Sequence, residues 1–304
     1  MSWIEIIYVM IAVFFLTRLC FLKKEIKRAT RQLHLLNKDV TAKKIDVSYV
    51  DQDMEKLAKE INEQIDLTWE AQAEKKRTEN ELKQAISNMS HDIRTPMTSI
   101  LGYIQLLDGE DLSEEKKREY TQIVRKCALR LKALLDDFFE LSIIESSDYA
   151  LSIEKIVLND LLLESLVGFY EEFNKRHIEP SIQIPENQIS IMADPSAVKR
   201  VIENLLTNAI RYSSGGVTIH LEKAATSARL TIRNPACQLS QEDLIFIFDR
   251  FYKADQPRTD KGTGLGLSIA KSLMLKMNGN LTAEKKGHEL FMICEWKLAG
   301  KAFK

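Results

Sequence analysis

Cysteine is scarce in this chain, and the four it has do not pair. Cys20, Cys127, Cys237 and Cys294 lie far apart and form no C-x-x-C motif. That argues against a disulfide framework or a zinc site and fits a reducing cytosol for most of the chain. An excess of one charge is also lacking: 43 basic and 44 acidic residues leave a net charge of -1. No broad basic field is available for nucleic acid, so no nucleic-acid partner is expected. His34, His177, His220 and His288 fall at no metal-ligand spacing and read as surface or strand residues. Glycine and proline are missing altogether from residues 23–85, which leaves nothing there to interrupt a helix.

What is present is ordinary globular material, 304 residues long with 45% hydrophobic and 29% charged residues, enough for two domains or more. The exception is Trp3 to Leu22, almost wholly apolar apart from Glu5 and Arg18 near its two ends. Twenty residues at ~1.5 Å rise give roughly 30 Å, the thickness of a bilayer's hydrocarbon core. A cleaved signal peptide is the rival, but no basic region precedes the stretch and no A-x-A site follows it. Lys23, Lys24, Lys27, Arg28 and Arg31 come next, so the positive-inside rule predicts a single-pass cell-membrane protein with its N-terminus outside and everything after residue 22 in the cytoplasm. Two residues precede the span, so no extracytoplasmic sensory domain is expected.

Beyond the membrane, Met54, Leu57, Ala58 and Ile61 fall at i, i+3, i+4 and i+7, one face of a helix. Ile26, Leu33 and Leu36 suggest a shorter helix before it, with 38–50 as connector. Helix, connector, helix resembles a HAMP relay, and a plain coiled-coil stalk fits the same residues. From residue 80 to 146 two amphipathic helices flank the turn Asp108-Gly109-Glu110-Asp111. Their seams run Ile86, Met89, Ile93, Met97, Ile100, Ile104, Leu107 and Tyr120, Ile123, Cys127, Leu131, Leu134, Phe138, Leu141. One hairpin cannot bury both stripes well, whereas two hairpins in a four-helix bundle can, so a homodimer is expected. After residue 150, alternating runs at 181–184, 217–221, 230–232 and 290–293 separate helices around 158–174, 195–212 and 265–277. That mixture predicts a two-layer α/β domain with helices over one sheet face.

The sharpest chemical signal is Ser90-His91-Asp92-Ile93-Arg94-Thr95-Pro96. At ~100° per residue His91 falls nearly opposite the seam, facing solvent, with Thr95 on its face and Asp92 about a quarter-turn round. A carboxylate beside an outward imidazole can accept its proton and select the nitrogen that attacks, so Asp92 reads as a general base. Such a nucleophile suits phosphoryl transfer.

Segment 90–96 resembles the phosphoacceptor box of the sensor histidine kinases of two-component systems. Further segments agree in order and spacing. Glu203-Asn204-Leu205-Leu206-Thr207-Asn208-Ala209, with Arg211 and Tyr212 after it, is similar to the family's N box, and Asp194-Pro195 before it also fits. Phe248-Asp249-Arg250-Phe251-Tyr252 resembles the F box and Gly262-Thr263-Gly264-Leu265-Gly266-Leu267 the second glycine box. The resemblance covers about residues 80–300. It implies a HisKA-type phosphoacceptor domain, a GHKL (Bergerat-type) ATP-binding domain, autophosphorylation of His91 from ATP, and transfer to an aspartate on a response-regulator receiver domain. It further implies a phosphatase role for Thr95, and Mg²⁺ held by Asn208 and Asn204, whose oxygens project from one helix face. Gly262, Gly264 and Gly266 would let backbone N–H groups approach phosphate, and Thr263 and Leu265 between them are expected to bind nucleotide with them. Lys253 and Arg258, in what resembles the ATP lid, would neutralise phosphates, and Tyr212 would pack near the nucleoside; a solvated surface role remains open for these three.

One box departs. Where the family usually has Asp-x-Gly-x-Gly, this chain has Asn234-Pro235-Ala236-Cys237-Gln238. An Asn234 oxygen can still accept the adenine N–H, but without charge. The alternative expectation is therefore a pseudokinase-like dimeric scaffold with weak ATP turnover. The expected architecture is α + α/β: a transmembrane helix at 1–22, a helical stalk at 23–79, a two-helix hairpin at 80–148 forming a dimeric four-helix bundle, and an α/β sandwich ATP-binding domain at 149–304. A membrane transporter is a candidate signal partner.

Overall fold

The structure of the protein, a computed structural model, defines residues 3–36, 44–46, 52–109, 112–146, 148–237, 239–253 and 262–300. Arg258, Gln238 and most of the 38–50 connector lie outside these described residues. The chain divides into two compact units, residues 1–84 and 85–304.

In the first unit, helix α1 runs Trp3–Leu36. The expected span and the shorter helix after it are one element, because no glycine or proline between them stops the hydrogen-bond ladder. Its most apolar 18-residue window has a mean hydropathy of 2.1 and no buried residue, so the helix is long and apolar enough to cross a membrane. The next helix, α2, runs Gln52–Leu107. It holds residues 44–46 of the connector: the Asn62 side chain accepts from the Ile45 N–H and donates to the Ile45 carbonyl, both at 2.9 Å. Lys44 pairs with Asp66 at 2.7 Å. Ile45 is thereby buried, as are Ala58 and Ile65. The shielded stripe steps through Met54, Ala58, Ile61 and Ile65, not through Leu57, which stays 53% exposed. Steps of four, three and four keep one face, and Leu57 lies off it.

In the second unit, α2 continues through Pro96 and turns back into α3, Glu114–Glu145. Ser113 caps α3, its hydroxyl accepting from the Lys116 N–H, and Glu114 and Glu115 occupy the first turn, where they complement the helix dipole. Tyr103 and Tyr120 pack across the hairpin with ring centroids 5.3 Å apart. All seven α3 seam residues are at least partly shielded, with Leu134 and Leu141 fully buried. On α2, Ile86, Met97 and Ile104 remain exposed.

The α/β part follows as β1 (Glu154–Val157), α4 (Leu158–Gly168), α5 (Tyr170–Lys175), β2 (Ser181–Gln183), β3 (Ser190–Ala193), α6 (Pro195–Tyr212), β4 (Thr218–Lys223), β5 (Ser227–Pro235), α7 (Asp243–Phe246), α8 (Gly266–Lys276), β6 (Asn280–Lys286) and β7 (Glu289–Lys297). Phe169 divides the helix expected at 158–174 into α4 and α5. The main sheet has the order β2-β4-β5-β7-β6, with β1 and β3 in a separate pair. Only β2 and β4 run parallel; the other neighbours are antiparallel, with Ile232 opposite Met292 and Leu281 opposite Cys294. Ala228, Leu230, Ile232 and Asn234 alternate inward on β5, and Leu290, Met292, Cys294 and Trp296 on β7. Helices α4, α6 and α8 supply the other side of this core. On α6 the buried residues Val198, Val201, Ile202, Leu205, Leu206, Ala209 and Ile210 recur every three or four positions, each large one contributing ~1.5–3 kcal/mol by leaving water.

Candidate functional site

On α2, the His91 side chain is 63% exposed, with Nδ1 3.4 Å from Asp92 Oδ1. Asp92 is largely shielded and also pairs with Lys253. Burial works against its charge, but the hydrogen bond and charge of Lys253, and then those of His91, outweigh it and hold the carboxyl below its ordinary value. The pair therefore sets an ionised carboxylate beside Nδ1 of an exposed imidazole. Thr95 shares this face, but its hydroxyl donates to the His91 carbonyl at 3.1 Å. Its donor is thus used within the helix, while its oxygen keeps acceptor capacity.

The second set of residues gathers where α6 meets the start of α8. Asp194 caps α6, its Oδ1 accepting from the Ala197 N–H at 3.0 Å, with Pro195 in the first turn. That fixes the helix carrying Asn204 and Asn208, one turn apart and both half-buried. A side chain at Gly266 would place its Cβ 3.1 Å from Asn204 Oδ1, so the glycine is what lets α8 begin against Asn204. The α8 N-terminus has no side-chain cap, and its first N–H groups are left for an anion. At Gly262 a Cβ would lie 2.1 Å from the Arg211 guanidinium; Arg211 therefore lies directly on the glycine box, with Tyr212 beside it. Gly264 has φ +76° and a virtual Cβ 2.9 Å from the Phe251 backbone, while its carbonyl accepts the Phe251 N–H at 2.9 Å. F box and glycine box are clasped together at this point, which no residue with a side chain allows.

Among the described residues no cluster of His, Cys, Asp or Glu suits a metal. The buried amide nitrogen of Asn204 has no hydrogen-bond partner in the protein. Turned about its last bond, that amide presents an oxygen at the same unmet position, next to Asn208. Neutral oxygens completed by phosphate and water suit Mg²⁺, so the residues present fit the ion. Asn234 is buried on the inward face of β5, and its nitrogen donates to the Pro235 carbonyl at 3.1 Å; its oxygen is the atom able to accept from an adenine amino group.

Several contacts here were missed from sequence. Arg200, one turn before Asn204, donates to Glu140 Oε2 at 2.5 Å and to Asp137 Oδ1 at 3.0 Å on α3. Burial opposes the guanidinium charge, but Glu140 and then Asp137 raise its pKa above the ordinary value. Thr263 Oγ1 donates to Asp137 Oδ2 at 2.7 Å. Arg250 pairs with Glu145 at 2.8 Å, and Lys276 donates to the Ser146 carbonyl at 2.8 Å. One signal was available: Asp137 and Glu140 are like charges three apart on one helix, an arrangement that is unfavourable unless a cation sits over them.

Comparison with known proteins agrees with this arrangement. Residues 81–147 match the family model of the His Kinase A (phospho-acceptor) domain, and residues 193–299 that of the histidine kinase-, DNA gyrase B-, and HSP90-like ATPase. The chain is similar to the sensor histidine kinase YcbM of Bacillus subtilis (strain 168), 30% identical over 218 residues and covering 70% of each protein. It is 30% identical over 234 residues to the sensor protein VanSC of Enterococcus gallinarum, covering 76% of this chain and 64% of that one. Its fold resembles that of histidine kinase ThkA, solved in complex with response regulator protein TrrA, with TM-score 0.62 and 23% identity over 76% of this chain and 66% of that one. An ATPase domain carried behind a phosphoacceptor hairpin places the chain in the family of sensor histidine kinases.

Proposed function

We propose that this chain is anchored in the membrane by α1, crosses it once with its N-terminus outside, and acts in the cytoplasm as a homodimer. It transfers the γ-phosphoryl group of ATP to Nε2 of His91 and then to an aspartate on a receiver domain. The observation that carries this reading is the exposed imidazole–carboxylate pair lying in one compact unit with a nucleotide cradle whose Lys253 reaches that carboxylate. In the first step the Nε2 lone pair forms the N–P bond as the bond to the ADP oxygen breaks, and Asp92 accepts the proton from Nδ1. In this reading Arg211, against Gly262, and Lys253 balance phosphate charge. Asn204 and Asn208 would hold Mg²⁺, which when bound neutralises charge on the phosphate oxygens. The exposed Ile86, Met97 and Ile104 on α2 support a second copy as the cover for this seam. The solved ThkA–TrrA complex supports a response regulator as partner.

Incubating the purified chain with γ-labelled ATP and Mg²⁺ tests the proposal; acid-labile label on the protein is expected. Absence of label would favour the second reading, a dimeric scaffold that turns ATP over poorly. What favours that reading is Asn234 standing where the family has an acid. Asn234→Asp is expected to tighten nucleotide binding several-fold, because a carboxylate accepting the adenine N–H is charge-assisted by ~1 kcal/mol over an amide. Calorimetric titration with a non-hydrolysable ATP analogue measures it, and unchanged or weaker affinity would mean the pocket is built around the amide.

For Thr95 the expected role is removal of phosphate from the regulator, its oxygen accepting from a water aimed at the phosphoaspartate. Thr95→Ala should keep autophosphorylation within a few-fold while slowing regulator dephosphorylation. Retention of both rates would leave its bond to the His91 carbonyl as its whole purpose.

A further inference from the structure

The hairpin meets the ATPase part through two kinds of contact. Arg200, Arg250 and Lys276 join α3 or its end from outside the phosphate cradle. The others fall on groups assigned to phosphate: Lys253 pairs with Asp92, and Thr263 of the glycine box donates to Asp137. Each of these hairpin acceptors is a carboxylate, the side chain closest to phosphate in charge and lone-pair geometry. Asp137 also reaches Arg200, on the helix that carries Asn204, so a single carboxylate ties the glycine box and the N-box helix to α3.

We propose that Asp137 and Asp92 stand in for nucleotide phosphate on Thr263 and Lys253, so that this docked arrangement of the hairpin and binding of ATP exclude one another, and transfer to His91 takes place from a different one. Asp137 is a positioning residue here, acting through Thr263. This rests on the assignment of Lys253 and of Thr263, here through its hydroxyl as well as its backbone, to the phosphate site. A hydroxyl has one proton to donate, and Thr263 cannot give it to Asp137 and to phosphate together. Reciprocity follows: ATP loosens the docked hairpin by the same factor that docking weakens ATP. Moving Lys253 to phosphate also takes away the cation that holds Asp92 ionised, which makes Asp92 a stronger base at the moment His91 must lose a proton. One switch would then couple nucleotide arrival to activation of the nucleophile.

The test is the affinity of the full chain, in lipid nanodiscs, for a non-hydrolysable ATP analogue with Mg²⁺. Asp137→Asn is expected to tighten binding about 3–10-fold, the lower range of common site-to-site couplings. Arg200→Gln, which breaks docking without touching the glycine box, should tighten it by a similar factor. The double variant should tighten it no further than either change alone, since both lift one competing state. Asp137→Glu, which keeps the acceptor charge, should return affinity toward wild type. Unchanged or weaker binding in both Asp137→Asn and Arg200→Gln, with wild type binding normally, would overturn the exclusion and leave the site assignment standing. Full binding by Thr263→Val would instead remove the site assignment, and the inference with it.

Discussion

His91→Gln is expected to lose all ATP-dependent phosphorylation while still binding nucleotide. The exposed imidazole, its Nδ1 near Asp92, is the proposed nucleophile, and an amide of similar size keeps the helix surface but cannot form the N–P bond. The proposed nucleotide cradle lies on other elements, at α6 and the start of α8, so affinity for an ATP analogue should stay within a few-fold. Labelling with γ-labelled ATP and Mg²⁺, followed by acid treatment, separates these effects. Acid-labile label persisting in the variant would place the phosphoacceptor elsewhere. Loss of both label and binding would mean that the substitution had disturbed the fold.

Asn208→Ala should be nearly as severe in labelling, for a different reason. It deletes one of two amides one turn apart beside the unpartnered nitrogen of Asn204. Loss of a single preorganised polar group at a site of charge development typically reduces rate by ~10²–10³. Asn208 is half-buried on α6, away from the hairpin seam, so the dimer and the thermal midpoint should hold. Near-normal labelling would end the metal assignment. A monomeric variant would show instead that α6 takes part in dimerisation.

The hairpin was legible because its information is local. Seam residues at steps of three and four and the Ser113 cap act within one or two helical turns, and the structure buries Leu134 and Leu141 and partly shields Tyr120, as expected. The same holds for α6, where Asp194-Pro195 marks the start and the buried face follows the period. The union of α1 into one helix was missed because the span was read by hydropathy, and hydropathy says nothing about where a backbone ladder stops. Strand β6 was missed because it lies at the sheet edge and carries Glu284, Lys285 and Lys286, the charges with which edges are protected from pairing. Leu57 was assigned by spacing alone, yet Asn62 and Ile45 decide which face of α2 is covered. The Arg200–Asp137–Thr263 contacts are tertiary: they join residues 63 and 126 positions apart, and no periodicity spans such a distance.

Pro96 has a mechanical effect on its surroundings. A proline at position 96 brings no N–H to the carbonyl of Asp92, four residues back, so the turn between the nucleophile's neighbour and Thr95 is short of one rung of the ladder. Elsewhere along α2, bending must stretch intact rungs, whereas here there is none to stretch, and curvature concentrates at this point. The imidazole therefore sits on the most compliant turn of an otherwise stiff rod. Bending at this turn re-aims the imidazole while the seam residues above and below keep their register.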